Sequence, residues 1–311
     1  MVNNEFWVTL TAIFGDRPHR DESLARHTTF RLGGPAEVWL PVESADELVT
    51  AATLARKHQV SVFMLGGGAN LLITDGGIRG LVIENRSNRI DFPPDVEWST
   101  GDSVTLTVES GVNLPSLARR CARKGFSGLE WAVGVPGTIG GAIVNNAGAY
   151  GSNLARSVTR IELLSPDGDR VWQPVAWFEY GYRTSRLKKQ KRGWIVLKAE
   201  LQMVLAPVDE VESKMNDFNT RRKASQPPGA TIGSMFKNPP GDYAGRLIEA
   251  AGLKSYRVGQ AQISPIHANF FQNLGEATAT DVLTLIEMAR AAVKEKFDIE
   301  LELEIEVVGE T

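Results

Sequence analysis

Two glycine-rich stretches restrict what this chain can fold into more than any other feature. Gly66-Gly67-Gly68-Ala69-Asn70-Leu71 follows a β-rich apolar run, Val60–Leu65. Gly134-Val135-Pro136-Gly137-Thr138-Ile139-Gly140-Gly141-Ala142 leads into Asn145-Asn146-Ala147-Gly148-Ala149-Tyr150-Gly151. A tight turn that needs positive φ accounts for a triple glycine. It does not account for the second stretch, whose glycines cost conformational entropy that a plain loop has no need to lose. Close approach of bare backbone to a ligand does account for it, and backbone N–H groups converging at a strand end suit phosphate oxygens. The spacing is not G-x-G-x-x-G and no helix clearly starts after Gly68, so a doubly wound dinucleotide fold is not indicated.

Around these stretches the chain reads as three regions, 1–90, 91–206 and 207–311. Residues 1–30 read as a polar lead-in with one or two amphipathic helical turns. Glu37–Leu40 reads as a short strand ending at Pro41. Ser44-Ala45-Asp46-Glu47 has capping-box spacing, and Leu48, Ala51, Ala52 and Ala55 carry a helix to about His58. With strands at Val60–Leu65 and Leu81–Glu84, this is a β–α–β unit with its glycine loop at a strand end. In the second region 96–112 reads as strands, with Val104, Leu106 and Val108 on one face. Asn113 caps a helix bearing Leu114, Leu117, Ala118 and Cys121, closed by Gly125. Strands resume at Val158–Leu164, Val171–Gln173 and Trp194–Val204. After Pro207 a helix places Val211, Met215 and Phe218 on one face, ends in Arg221-Arg222-Lys223 and is broken by Gln226-Pro227-Pro228-Gly229. Helices near Tyr243–Ala251 and Thr280–Lys296 and a strand Ile299–Val308 complete the third region.

Composition excludes several classes. Over 311 residues, 42% apolar and 23% charged residues describe a folded chain of more than one core. A net charge of −3 offers no general attraction to nucleic acid or to an acidic membrane surface. The basic runs Lys188-Lys189-Gln190-Lys191-Arg192 and Arg221-Arg222-Lys223 read as a solvated turn and a helix end. The single cysteine, Cys121, supports neither a disulfide framework nor a cysteine metal site and reads as a buried thiol. His19, His27, His58 and His267 make no metal-ligand spacing, so no metal is expected. No basic leader with an apolar core is visible and no apolar run is long enough to span a bilayer. The default expectation is a cytoplasmic monomer or weak oligomer without membrane insertion.

Three groups are candidates for chemistry. Ser234 lies in Gly233-Ser234-Met235-Phe236-Lys237-Asn238-Pro239, a constrained loop without a hydrolase elbow. Its hydroxyl reads as a turn group or as a proton donor to a carbanion. Arg183, in Gly181-Tyr182-Arg183-Thr184, is a surface guanidinium or a fork for a carboxylate. Glu304 lies in a terminal run where Glu300, Glu302, Glu304 and Glu306 alternate with apolar residues and share one face. Nothing within that run distinguishes Glu304 from its neighbours.

Taken in order, His27–Ala36, Gly66–Leu72, Gly134–Gly151, Tyr182-Arg183, Gly233–Pro239, Gly252-Leu253-Lys254, His267–Phe270 and the terminal strand resemble the UDP-N-acetylenolpyruvoylglucosamine reductase family. These are the flavoenzymes that complete UDP-N-acetylmuramate for peptidoglycan. The resemblance runs from about residue 27 to the end. It implies an α+β protein with a vanillyl-alcohol-oxidase-like FAD fold in two subdomains and a C-terminal α+β substrate domain. It implies FAD held without a covalent bond, NADPH as the reductant and a UDP-sugar as the substrate. FAD contacts are expected from Gly66, Gly67, Gly68, Ala69, Asn70 and Leu71, and from Gly134, Val135, Pro136, Gly137, Thr138, Gly140, Gly141, Asn145, Gly148 and Ala149. Carried over by motif, Ser234 resembles the proton donor, and Arg183 with Glu304 the pair that polarises the substrate carboxylate. Tyr182, Lys237, Asn238 and Lys254 are the expected substrate contacts, and His267 is expected to support the fold.

The short connection from Arg183 to Trp194, about a dozen residues, resembles the family's second type, which lacks a long tyrosine-bearing insertion. Three residues depart from the family pattern. Ala69 replaces a serine, so one hydroxyl contact to pyrophosphate is absent while the backbone donors remain. Glu306 stands where arginine is common, and Leu303 where proline or a polar residue is usual. Two other readings compete. A related flavin oxidase would be favoured by a histidine in or beside the glycine loops, and none is present there. A nucleotide-binding module without catalysis is opposed by intact Arg183, Ser234 and Glu304.

Overall fold

A computed structural model describes residues 2–94, 99–190 and 193–310. The expected strand residues 96–98, and Lys191 and Arg192 of the basic run, lie outside the described residues.

The N-terminal helix, α1 (Asn4–Phe14), is longer than the one or two turns expected from sequence. Asn3 caps it by accepting from the Phe6 N–H at 2.8 Å. Phe6, Leu10 and Phe14, four residues apart, are all buried on one face. They pack with Leu48, Ala51, Ala52 and Ala55 of α2 (Ala45–Lys57). Apolar Trp7, Val8 and Ile13 on the other faces had blurred this stripe. Five strands follow in the first region: β1 (His19–Ser23), β2 (Pro35–Val42), β3 (Val62–Leu65), β4 (Leu71–Ile73) and β5 (Ile78–Asn85). Four of them form a sheet in the order β1-β2-β5-β3, with β2 and β3 both parallel to β5. The expected β–α–β unit is therefore present, with β5 inserted between its two strands. Gly66–Asn70 is the loop that leaves the end of β3.

The second region is a six-stranded sheet built on the long strand Ile195–Leu205. Val104, Leu106 and Val108 of the strand Ser103–Glu109 are buried beneath α3 (Leu114–Ala122). Asn113 caps α3 by accepting from the Ser116 N–H at 3.0 Å. Leu114, Leu117, Ala118 and Cys121 all face the core as expected. Burial pushes the Cys121 thiol up to about 12, so it remains protonated at neutral pH. A thiol reagent is expected to label the native protein only as fast as it unfolds; rapid labelling of folded protein would contradict that burial. The two regions are joined by the buried Glu109, whose carboxylate accepts from the Ala45 N–H at the start of α2 and from the Arg89 N–H, each at 3.1 Å. A carboxylate at a helix N-terminus meets both the unsatisfied donors and the favourable end of the helix dipole.

The second glycine stretch forms the short helix α4 (Ile139–Asn145), capped by Thr138, whose side chain accepts from the Gly141 N–H. A five-residue helix, α5 (Arg186–Gln190), occupies the connection after Arg183. Beyond Pro207, α6 (Val208–Ser225) buries Val211 and Met215 against Ala122 and Val133 of the second region. The remaining core gathers α7 (Ala244–Ala250) and α8 (Ala279–Phe297) over a small sheet around Ala261–Ile263.

The terminal run departs from the single strand expected over Ile299–Val308. Only Glu306–Val308 is a strand, parallel to β4. The preceding residues bond elsewhere, with the Lys237 N–H donating to the Glu302 carbonyl and the Glu304 N–H donating to the Met235 carbonyl. The Glu306 N–H then donates to the Asn70 carbonyl at 2.9 Å. The chain thus changes partner between Glu304 and Glu306, from the serine loop to the glycine loop. A strict period of two fails at such a change, and the four glutamates do not all share one face: Glu304 and Glu306 line a common cleft and Glu302 does not. Glu302 pairs with Lys237 on the surface, whereas Glu304 turns inward.

Candidate active site

Backbone geometry brings the two glycine stretches together. A Cβ built on Gly67 would lie 3.0 Å from the Gly137 Cα, and one on Gly66 would lie 2.6 Å from the Thr138 hydroxyl oxygen. These glycines permit the loops to touch. Gly68 is required for another reason: its φ is +56°, and a Cβ there would meet the His27 carbonyl at 2.2 Å. Gly137 and Gly141 differ from these. A Cβ on either would meet nothing nearer than 3.8 Å, so both leave open space on the wall of a cleft.

That cleft has a volume of about 440 Å³, within the range of cofactor and ligand sites. Every glycine-loop residue expected to contact FAD lines it except Gly134. Gly134 lies behind the wall, where its missing side chain makes room for Arg222: a Cβ there would be 2.3 Å from the Arg222 Cδ. Arg183, Ser234 and Glu304 line the same cleft from three separate parts of the chain.

Each of the three is positioned by its own set of contacts. Ser234 is held by Asn269, whose side chain accepts from the Phe236 N–H at 2.9 Å and donates to the Phe236 carbonyl at 2.8 Å. The Asn269 carbonyl accepts from the Met235 N–H. His267 in turn accepts from the Asn269 N–H at 3.2 Å and packs on Phe270. Burial holds His267 below the ordinary histidine range, which suits a neutral acceptor. His267 therefore supports the serine loop from outside the cleft.

Arg183 sits in a turn closed between Gly181 and Thr184, in left-handed backbone at φ 55°. That conformation costs a non-glycine residue about 1–2 kcal/mol, and such strain concentrates where side-chain aim matters. Two bonds tie the turn to the neighbourhood of α4: Asn146 Nδ2 donates to the Gly181 carbonyl at 3.0 Å, and the Ser185 hydroxyl to the Val144 carbonyl at 2.6 Å. Arg183 Nε then donates to Glu304 Oε1 at 2.6 Å. Both side chains are largely buried, at 23% and 15% exposed, so the pair is shielded from solvent screening.

The expected substrate contacts stand outside the lining. Tyr182 is exposed, with the Arg183 guanidinium 5.5 Å from its ring centre. Lys237 pairs with Glu302, and Lys254 with Glu249 at 2.8 Å. Asn238 Oδ1 accepts from the Ala244 N–H at the start of α7.

Two cations in the cleft belong to runs read from sequence as a solvated turn and a helix end. Lys188 and Arg222 both line it. Arg222 continues the buried stripe of α6, since Val211, Met215, Phe218 and Arg222 recur at helical spacing, and that spacing was the available signal. Lys188 had no signal beyond its nearness to Arg183. Burial lowers the pKa of both groups from their ordinary values. The lining therefore carries Arg183, Lys188 and Arg222 against Glu304 and Glu306. An excess of positive charge over apolar walls suits a ligand bearing phosphate or carboxylate.

Residues 36–173 match the model of an FAD binding domain, and residues 225–308 match that of the UDP-N-acetylenolpyruvoylglucosamine reductase C-terminal domain. A UDP-N-acetylenolpyruvoylglucosamine reductase of Chloroflexus aggregans is 42% identical over 93% of this chain and 96% of its own length. That of Rubrobacter xylanophilus is 43% identical over 93% and 95%. The chain belongs to the UDP-N-acetylenolpyruvoylglucosamine reductase family. Its fold is similar to the crystal structure of UDP-N-acetylenolpyruvylglucosamine reductase from Thermus caldophilus, with a TM-score of 0.78 at 36% identity, covering 94% of this chain and 99% of that one. The α+β FAD-binding architecture expected for a member of this reductase family is thus present. The cleft suits FAD: two bare backbone loops meet where a pyrophosphate needs N–H donors, and Gly137 and Gly141 leave the space that side chains would fill. Among the described residues that line the cleft none is a histidine. Among the described residues no helix is long and apolar enough to cross a membrane, and no acidic, histidine or cysteine group of three or more could hold a metal.

Proposed function

We propose that this chain is an FAD-dependent oxidoreductase that uses NADPH to reduce the enolpyruvyl double bond of UDP-N-acetylenolpyruvoylglucosamine, giving UDP-N-acetylmuramate. The observation that carries this reading is the convergence of Ser234 and the Arg183–Glu304 pair on the cleft walled by the two glycine loops. FAD, when bound, supplies the two-electron chemistry between NADPH and the alkene.

The protein's own groups handle the charge and the proton. Adding hydride to one alkene carbon builds negative charge on the carbon next to the carboxylate. Glu304 occupies the Arg183 Nε, which fixes the guanidinium plane so that its two terminal nitrogens present a fork to that carboxylate. The Ser234 hydroxyl delivers the proton to the charged carbon. Tyr182, Lys237, Asn238 and Lys254 reach the UDP-sugar from the rim. For the two lysines this exchanges surface ion pairs, each worth only about 0–1 kcal/mol. In this reading residues 1–90 and 91–206 hold FAD, and 207–311 bring the substrate groups other than Tyr182 and Arg183. The connecting helix α6 packs on the FAD side and lends it Arg222. The working unit is a monomer or weak oligomer.

Purified protein is expected to oxidise NADPH only when UDP-N-acetylenolpyruvoylglucosamine is present, yielding one UDP-N-acetylmuramate per NADPH. NADPH consumption indifferent to that substrate would refute the assignment. A second test uses Gly141, where a side chain meets open cleft rather than protein. Gly141→Leu is expected to leave apoprotein melting within about 2 °C of wild type, as for substitutions within about 0.5 kcal/mol, while weakening FAD binding at least tenfold. Unchanged FAD affinity would mean that the cofactor does not use this wall.

A further inference from the structure

Lys188 projects from α5 into the cleft, and its Nζ donates to Asn145 Oδ1 at 2.6 Å. Asn145 is itself anchored: its Nδ2 donates to the Gly141 carbonyl at 3.0 Å. With the amide held at both ends, its oxygen fixes where the ammonium sits. One of the three ammonium N–H donors is used, leaving two for the cleft. Among the described residues Lys188 forms no ion pair. Glu304, Glu306, Arg183 and Lys237 influence it only through space, and burial outweighs them in lowering its affinity for a proton. A half-buried cation held by one neutral amide is an incomplete site, and the missing component is negative charge.

The fold indicates where that charge lies. Helix α4 has Thr138, beside the Gly66-Gly67 loop, as its N-cap and Asn145 as its last residue. Its seven residues rise about 10 Å. A pyrophosphate held by the glycine loops would lie about one helix length from Lys188, which would leave the lysine on the flavin side of the cofactor. Lys188 lines the same cleft as Arg183 and Glu304, and both act on its charge through space.

We propose that Lys188, held by Asn145, is a positioning residue for the FAD ring that places a fixed positive charge at its electron-rich edge and favours the reduced cofactor. This rests on the FAD-dependent reading above. A fixed cation stabilises whichever redox state carries more negative charge, so removing it lowers the midpoint potential.

The test is the midpoint potential of bound FAD in the wild-type holoenzyme, in Lys188→Met and in Lys188→Arg. Lys188→Met is expected to shift the reduction equilibrium about tenfold toward oxidised FAD, a fall of about 30 mV for a two-electron couple. Lys188→Arg keeps the charge and is expected to retain most of the wild-type potential. The KM for UDP-N-acetylenolpyruvoylglucosamine is expected to change by less than about twofold in both, because the lysine is not assigned to substrate binding. An unchanged potential with a raised substrate KM would overturn the proposal and assign the lysine to the substrate carboxylate. Equal falls in both variants would overturn it too, since shape and not charge would then matter. If Lys188→Met loses FAD altogether, Lys188→Arg decides: FAD retained at the wild-type potential supports the role, and loss in both variants rejects it. Wild-type flavin content and turnover are read separately, so failure here is distinct from failure of the functional assignment.

Discussion

Ser234→Ala is expected to leave reduction of FAD by NADPH close to the wild-type rate and to slow reoxidation by substrate by about 10²–10⁴-fold, the range for loss of a positioned general acid. The two half-reactions differ in what they require of the serine. NADPH passes hydride without needing a proton at the alkene. The second half-reaction stops unless the carbon beside the carboxylate is protonated. The serine loop is pinned through the backbone of Met235 and Phe236 by Asn269, so removing one hydroxyl leaves the loop in place. Rapid-mixing measurement of each half-reaction separates the cases. Equal slowing of both would point to a misplaced cofactor, and full retention of both would remove Ser234 from the mechanism.

Loss of the Arg183–Glu304 pair is expected to have an effect of similar size by a different route. Glu304→Gln keeps the shape and an acceptor but removes the charge that holds the guanidinium, and Arg183→Met removes the fork. Each is expected to lower kcat by about 10²–10³-fold, the scale for losing a donor aimed at developing negative charge. Arg183→Met should also raise the substrate KM, because its terminal nitrogens meet the carboxylate in the ground state. Arg183→Lys is expected to rescue little, since an ammonium cannot serve Glu304 and a carboxylate fork together. The double variant should be scarcely worse than the poorer single one, because the two act as a unit. Additive losses in steady-state assays would show that they work independently.

Much of this arrangement was legible in the sequence. The glycine stretches announced a backbone-walled site, and the periodicity of Leu114, Leu117, Ala118 and Cys121 identified a core helix. Other features were hidden for physical reasons. The capping box read at Ser44–Glu47 is only half formed. Ser44 accepts from the Glu47 N–H at 3.1 Å, but Glu47 turns to Arg17 and to the Glu43 N–H, each at 2.8 Å. A complete box forms instead between Thr278 and Asp281. Arg17 lies thirty positions from Glu47, and a local pattern contains no information about such a partner. The terminal run misled in the same way. Its alternation describes a strand with one partner, whereas the chain changes partners between Glu304 and Glu306, and that change directs Glu304 into the cleft. Arg222 and Lys188 resembled solvated charges because long side chains at helix ends usually are; their cleft is assembled from distant segments. The helical spacing of Arg222 relative to Val211, Met215 and Phe218 was the exception, a local signal that pointed correctly inward.

The most direct test of the account is the visible spectrum of the purified protein under anaerobic conditions, recorded alone, after one equivalent of NADPH and after one equivalent of UDP-N-acetylenolpyruvoylglucosamine. The prediction is a yellow protein whose flavin band bleaches with NADPH and returns with substrate as UDP-N-acetylmuramate appears. A colourless protein that cannot be reconstituted with FAD, or a bleached band that substrate fails to restore, would contradict it.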